Sequence, residues 1–319
     1  MADMTTRLGT ATLPNPVLTA SGCAAAGREL HQFFDVAQLG AVVTKSIMMA
    51  PRSGRPTPRM AETPSGMLNS IGLQGPGIDA FLANDLAWLA ERGARVVVSI
   101  AGTHTDEYVA LAAKLSGHPA VAMLEVNISC PNVESRGQVF ACDAIASARV
   151  IGAVRRVADP LQPVFAKLSP DVTDLVHIAR ACADAGADGF SLINTLLGIA
   201  IDTDRLAPVL GGITGGLSGP AIRPVALRCV WQVRQALPHL PILGMGGIAS
   251  GLDALQFILA GASAVSVGTA VFGDATAPVR VLTELEAALD ERGFASLADA
   301  IGFAHLDEFG RAARLGGAA

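Results

Sequence analysis

Eight short apolar segments recur along the chain, and their spacing predicts its fold. They cover residues 15–22, 41–46, 95–102, 121–127, 164–168, 189–194, 241–244 and 264–268. Short, nearly continuous apolar runs are typical of strands buried on both faces. Segments with apolar residues at helical spacing lie between most of them and after the last. We predict helices at 28–38, 76–92, 105–116, 141–158, 171–185, 219–237, 250–260, 279–292 and 296–302.

This alternation predicts parallel strands joined by right-handed crossovers. Eight such units favour an α/β fold, a closed (β/α)8 TIM barrel that forms one domain over residues 1–319. An open doubly wound sheet is the alternative. Residues 48–75 are rich in Pro, Gly, Ser and Met, and we interpret them as a long active-site loop insertion. Residues 198–218 are glycine-rich, and we expect them to be irregular.

Composition disfavours several classes of function. Half of the residues are hydrophobic and the net charge is −5, which disfavours a nucleic-acid surface. The five cysteines form no CxxC pair, so zinc-ribbon and iron–sulfur ligation lack support. Because their number is odd and they are widely spaced, they indicate a reducing compartment. The N-terminus lacks an apolar signal core, and no apolar run reaches about 18 residues. We expect a soluble, cytoplasmic protein.

Polar residues stand at or just after the predicted strand ends. They are Ser21, Lys45, Asn69, Ser99, Asn127, Lys167 and Asn194. In a parallel barrel the carboxyl ends of the strands share one face, where chemistry gathers. The two lysines would need an anionic partner there. A structural ion pair or a surface position is the alternative for each lysine.

The turn after the fourth strand carries the densest chemistry. It reads Asn127-Ile-Ser-Cys130-Pro-Asn132. A thiol on such a turn can act as a base, although a free cysteine is more often a small buried hydrophobe. The amides of Asn69, Asn127, Asn132 and Asn194, with Thr195, suit a flat ligand with alternating carbonyl and N–H groups. Any one of these asparagines could instead cap a turn.

Three glycine clusters indicate a phosphate site. They lie at 215–219, at 244–248 after the seventh strand, and at Gly268-Thr269 after the eighth. Glycines let backbone N–H groups approach an anion, and these loops are the usual phosphate position in such barrels. Glycines also form ordinary turns, which is the alternative. No GxGxxG motif follows the first strand, so a Rossmann site is not supported.

Taken together, these motifs resemble class 1 dihydroorotate dehydrogenases, flavoproteins of pyrimidine biosynthesis. The matching stretches run from Asn15 to about His305 and include Ala20-Ser-Gly22, Thr44-Lys-Ser46, Leu68–Leu73, Asn127–Asn132, Ala166-Lys-Leu168 and Ile193-Asn-Thr195. The cysteine at position 130 resembles class 1 enzymes, whereas the membrane-associated class has serine at this position.

The resemblance implies FMN, dihydroorotate and orotate as ligands, and it implies roles for individual residues. Cys130 would be the base, and Lys45 would stabilise developing negative charge. Orotate would be held by Lys45, Asn69, Gly72, Leu73, Asn127, Asn132, Asn194 and Thr195. FMN would be held by Ala20, Ser21, Lys45, Ser46, Ser99, Asn127, Lys167 and Ile193, with its phosphate on Gly219, Gly246, Gly247, Gly268 and Thr269. The loop after Asn132 would close over the site.

The resemblance also implies an electron acceptor and partner proteins. Residues 69–74 and 194–198 resemble the NAD-linked branch, which works with a second subunit carrying FAD and an iron–sulfur cluster. Residues 135–138 lack that branch's Lys-x-Gly-Gly pattern, and Ser99 replaces a commoner asparagine. A homodimer is expected by analogy. The alternatives are an enzyme that reduces uracil or thymine, as dihydropyrimidine dehydrogenases do, a non-catalytic flavin-binding subunit, and a phosphate-binding isomerase barrel.

Overall fold

Eight parallel strands form a barrel in the computed structural model, which describes residues 1–129, 143–308 and 310–311. The strands are β1 (Val17–Thr19), β2 (Val42–Val43), β3 (Val96–Ile100), β4 (Val121–Asn127), β5 (Val164–Leu168), β6 (Gly189–Leu192), β7 (Ile242–Met245) and β8 (Ala264–Val267). From β2 to β8 each strand pairs with the next in chain order, and β8 pairs with β1. A parallel bridge between Leu18 and Ala41 joins β1 to the start of β2. The predicted (β/α)8 barrel is confirmed, and the doubly wound alternative is wrong.

Helices surround the barrel as the periodicity predicts, with one exception. They are α1 (Ile78–Ala80, π-helical Phe81–Leu86 and Ala87–Glu91), α2 (Thr105–Leu115), α3 (Ala144–Arg155), α4 (Leu175–Asp184), α5 (Arg223–Ala236), α6 (Gly251–Leu259), α7 (Ala277–Asp290) and α8 (Leu297–Ala300). Side chains cap several N-termini: the carboxylate of Asp174, for example, accepts a hydrogen bond from the His177 N–H.

The helix predicted at 28–38 is wrong. Two 3-10 turns, Leu30–Gln32 and Val36–Gln38, take its place. Asp35 has an extended backbone, and its carboxylate accepts a hydrogen bond from the Ala37 N–H. This local bond competes with helix continuation, so the chain breaks at Asp35.

The barrel interior is layered from apolar to polar. The lower layer is a buried apolar cluster that includes Val97, Met123 and Phe165 and extends to Leu8 and Leu13. The last two belong to a hairpin of Thr6–Leu8 with Ala11–Leu13, which plugs the amino-terminal end. Because alternate strand residues share a face, the next inward positions are buried polar residues. They include Ser99, Glu125, Lys167, Ser191 and Ser266.

A four-stranded antiparallel sheet, here called the cap sheet, borders the carboxyl-terminal mouth. Its order is Leu196–Gly198, Gly215–Ser218, Gly66–Asn69 and Met60–Thr63. Two strands therefore come from the stretch predicted as a loop insertion, and two from the stretch containing the predicted irregular section. Both descriptions need correction: each stretch contributes strands to one sheet across the mouth. Within the described part of the chain, no helix is long and apolar enough to span a bilayer.

Candidate active site

A cavity of about 1160 Å³ lies between the carboxyl ends of the barrel strands and the cap sheet. Pockets for drug-sized ligands have volumes of roughly 300–1,000 Å³, so this cavity is large enough for a large cofactor together with a small substrate. Most of the predicted site residues line it. They are Ala20, Ser21, Lys45, Ser46, Asn69, Gly72, Leu73, Asn127, Lys167, Ile193, Asn194, Thr195, Gly219, Gly246, Gly247, Gly268 and Thr269.

Three parts of the sequence-based site differ from this set. Cys130, Asn132 and the loop at 133–140 lie outside the described residues, so their predicted roles stay predictions. Ser99 is described, but it does not line the cavity. Its side chain is fully buried, and its hydroxyl lies 2.9 Å from the Ser46 hydroxyl oxygen. Ser99 therefore contacts a cavity residue from behind.

A chain of hydrogen bonds orients the amides in the cavity wall. Asn127 Nδ2 donates to Ser46 Oγ at 3.0 Å, and Ser129 Oγ donates to Asn127 Oδ1 at 2.7 Å. Asn194 Nδ2 in turn donates to Ser129 Oγ at 2.5 Å. The amides of Asn127 and Asn194 therefore each have one fixed orientation, and Ser129 contacts both. The motif contains Ser129, but nothing in the sequence assigns it a separate role.

A further amide reaches the site through the cap sheet. Asn69 ends the strand Gly66–Asn69 and pairs with Gly216 on the neighbouring strand. Its Nδ2 also donates to the Gly216 carbonyl at 3.2 Å. The sheet therefore carries Asn69 from the loop after β2 to the same cavity as the amides after β4 and β6.

The predicted glycine cluster forms a cradle that leaves no room for side chains. Gly247 has φ +81°, and a Cβ placed on it would lie 2.7 Å from the Gly219 carbonyl oxygen. A Cβ on Gly268 would lie 3.1 Å from the Ala20 Cβ. Nearby, Thr269 Oγ1 donates to Ser218 Oγ at 2.8 Å. Close-packed glycine backbone with hydroxyls beside it fits a phosphate group.

The two predicted lysines have different settings. Lys45 lines the cavity beside Gly22, where an added Cβ would lie 3.7 Å from Lys45 Nζ. Lys167 also lines the cavity, and its Nζ lies 3.2 Å from Glu125 Oε1 in a buried ion pair. The ion pair named as an alternative for Lys167 is therefore present, although the ammonium still borders the cavity. The sequence shows that a carboxylate, Glu125, lies within the apolar strand 121–127, but not which residue it contacts.

Cys23 is a cavity residue that the sequence reasoning did not single out. It follows Ser21 and Gly22 directly after β1, and this position was its only signal. Burial raises the pKa of the Cys23 thiol to about 11, while the positive charges of Lys167 and Lys45 oppose the rise. The thiol is therefore protonated at neutral pH and has little nucleophilic character.

Comparisons with known proteins identify the family of this chain. A family model described as dihydroorotate dehydrogenase matches residues 3–289. The chain is 52% identical to a protein of Pelobacter propionicus over 94% of this chain and 98% of the relative. It is 51% identical to one of Desulforudis audaxviator, covering 92% and 95% of the two chains. Both are named dihydroorotate dehydrogenase B (NAD(+)), catalytic subunit. The chain therefore belongs to the dihydroorotate dehydrogenase family.

Proposed function

We propose that this chain oxidises dihydroorotate to orotate in pyrimidine biosynthesis, with FMN as its flavin. One observation carries the proposal: a single cavity combines the glycine cradle with the oriented amides of Asn69, Asn127 and Asn194 and with Lys45. An anion-binding cradle beside a wall of amides suits a phosphorylated flavin next to a planar pyrimidine.

The residues present fit FMN in two respects. Gly219, Gly246, Gly247, Gly268 and Thr269 would hold the phosphate, because their backbone closes tightly where a side chain would clash. Ala20, Ser21, Ser46, Asn127, Lys167 and Ile193 would hold the rest of the cofactor. Bound FMN supplies the group that accepts two electrons from the substrate. Direct contact with Ser99 is not part of the proposal, because Ser46 stands between Ser99 and the cavity.

The chain's own residues bind the substrate and move its proton. Asn69, Asn127, Asn132, Asn194 and Thr195 would pair with the polar edge of the pyrimidine, with Gly72 and Leu73 against it. Lys45 would neutralise negative charge on the substrate. The Cys130 thiolate would take the proton from the carbon next to the carbonyl, so activity should rise with alkaline pH, as for an ordinary thiol.

NAD is the proposed final acceptor, through a partner subunit. The relatives' names contain both NAD(+) and "catalytic subunit", which supports a second chain. We propose that the partner subunit carries FAD and an iron–sulfur cluster, because no CxxC motif occurs in the present sequence. A homodimer of catalytic subunits is proposed by analogy with the class 1 enzymes, and a cytoplasmic location from the odd number of scattered cysteines.

The test is anaerobic mixing of the FMN-loaded protein with dihydroorotate while flavin absorption is recorded. Bleaching by dihydroorotate and not by dihydrouracil is expected, and the opposite preference would favour the uracil or thymine enzyme. A protein that binds no flavin would refute the proposal. Re-oxidation by fumarate or a quinone, or by NAD once the partner subunit is added, then identifies the acceptor.

The base is tested with Cys130→Ser against Cys182→Ala as the matched control. Cys182 is buried on α4 and does not line the cavity, so its loss should leave bleaching unchanged. Cys130→Ser should slow bleaching by about 100-fold or more at neutral pH, which is the usual contribution of a general base. Unchanged bleaching by Cys130→Ser would remove the thiol from the mechanism.

A further inference from the structure

Glu125 is a carboxylate inside the barrel that the proposed chemistry does not use. It lies on β4, two residues before Asn127, so both side chains face the interior. Its side chain is 0% exposed, and Oε1 lies 3.2 Å from Lys167 Nζ, whose side chain is 4% exposed. Glu125 Oε2 has no hydrogen-bond partner among the described residues. An ionised carboxylate is rarely retained in such a position without a partner or a role.

The polar neighbours of the pair include neutral hydroxyls, of which Ser99 lies in register with Glu125 and is already hydrogen-bonded to Ser46. Below it lies the apolar cluster that includes Met123 and Phe165. On the neighbouring strand β6, Ser191 stands beside Lys167 in register, and Ser191 Oγ has no partner among the described residues. The ammonium and the carboxylate therefore depend mainly on each other. Lys167 lines the cavity above this layer, whereas Glu125 does not line the cavity.

Besides Lys167, the ionisable residues that line the cavity in the described part of the chain are Cys23, Lys45, Arg52, Arg55, Asp85 and Asp171. Lys45, after β2, and Cys23, after β1, both border the cavity, and Lys167 and Lys45 both influence the Cys23 thiol. Lys45 would repel a second ammonium, and the Cys23 thiol is neutral at ordinary pH. Asp171, after β5, lines the cavity and accepts hydrogen bonds from Ser169 Oγ and the Leu197 N–H. Glu125 is thus the carboxylate in direct contact with Lys167.

We propose that Glu125 is a positioning residue that keeps the Lys167 ammonium charged and directed at the floor of the cavity. A buried ammonium without its counter-charge favours the neutral amine, because burial penalises the charged form. With Glu125 in place, the cavity floor presents a fixed positive charge to whatever electron-rich ring lies on it. This inference rests on the proposed function, in which that ring belongs to FMN.

The test measures FMN binding to flavin-free protein by fluorescence quenching, at about pH 6.5 and about pH 9. Wild type, Glu125→Gln, Lys167→Met and the double variant are compared, and FMN's own titration is common to all four. Glu125→Gln should bind nearly as well as wild type at the lower pH and about tenfold more weakly at the higher pH, because its lysine loses the proton there. In the Lys167→Met background, Glu125→Gln should change binding less than about twofold.

Each other outcome overturns the proposal. Equal weakening by Glu125→Gln at both pH values indicates a structural role, and so does an undiminished effect in the Lys167→Met background. If Glu125→Gln does not fold, Glu125→Asp carries the test: its shorter carboxylate stands back from the ammonium, and a smaller weakening in the same direction is expected. A wild-type profile for that variant refutes the inference. Failure of wild-type protein to bind FMN refutes instead the proposed function.

Discussion

Replacing Ser129 with alanine should disconnect the two amides that its hydroxyl orients. Ser129 Oγ donates to Asn127 Oδ1 at 2.7 Å and accepts from Asn194 Nδ2 at 2.5 Å. Asn127 is buried, so its carbonyl oxygen would lose a partner that water does not readily replace. An unsatisfied buried polar group costs about 1–3 kcal/mol, and we expect the free energy of unfolding to fall by that amount. Asn194 is only half-buried, so water can replace its lost partner and its contribution to the change in unfolding free energy is small.

The same substitution should weaken orotate binding, because two amides lose their fixed orientation. We expect about a tenfold rise in Kd, equivalent to about 1.4 kcal/mol. Urea unfolding gives the stability change, and titration of the FMN-loaded protein with orotate gives the affinity. Ser191→Ala is the matched control, because its buried hydroxyl has no partner among the described residues and does not line the cavity. The reasoning is refuted if Ser129→Ala is no more destabilising than Ser191→Ala and leaves orotate affinity unchanged.

Three further predictions concern the cradle, the barrel closure and pH. Gly247→Ala should reduce FMN affinity at least about tenfold, because φ +81° and the close Gly219 carbonyl leave no room for a Cβ; unchanged flavin titration would contradict this. Thr19→Val should lower the free energy of unfolding by about 1–3 kcal/mol, because Thr19 Oγ1 bonds both the N–H and the carbonyl of Val43; an unchanged urea midpoint would oppose it.

The third prediction is that stability falls at alkaline pH. Burial raises the pKa of Cys23 to about 11 and that of Cys182 to about 12. The unfolded thiols ionise near pH 9, so this stability is present below about pH 9 and is lost as pH rises towards 11 and 12. Urea unfolding across that range should show a smaller loss in Cys182→Ala than in wild type.

The barrel was predictable because its strands are defined locally. Segments such as 164–168 and 264–268 are apolar throughout, and barrel strands buried on both faces require that pattern. Helix starts such as Asp174 and Ser250 also carry their capping signal in the sequence itself. Gly246, Gly247 and Gly268 line the cavity, and their position after β7 and β8 follows from chain order alone.

The cap sheet was missed because nothing local defines it. The strand Gly215–Ser218 is half glycine, a composition with low strand propensity, and Met60–Thr63 alternates only weakly. These segments become strands by pairing with each other across the mouth. The contact of Glu125 with Lys167 was likewise beyond the sequence, because it depends on the relative register of β4 and β5.

The pairing of Asn69 with Gly216 has a consequence for how the protein is made. The two residues are 147 positions apart, and the hydrogen bond from Asn69 Nδ2 needs both. A nascent chain emerging from the ribosome cannot place this amide until β6 and the segment behind it have been synthesised. Most neighbouring barrel strands can pair earlier, as each is released, whereas β1 must wait for β8. Pyrimidine recognition would therefore be acquired only after the segment that contains Gly216 has been made.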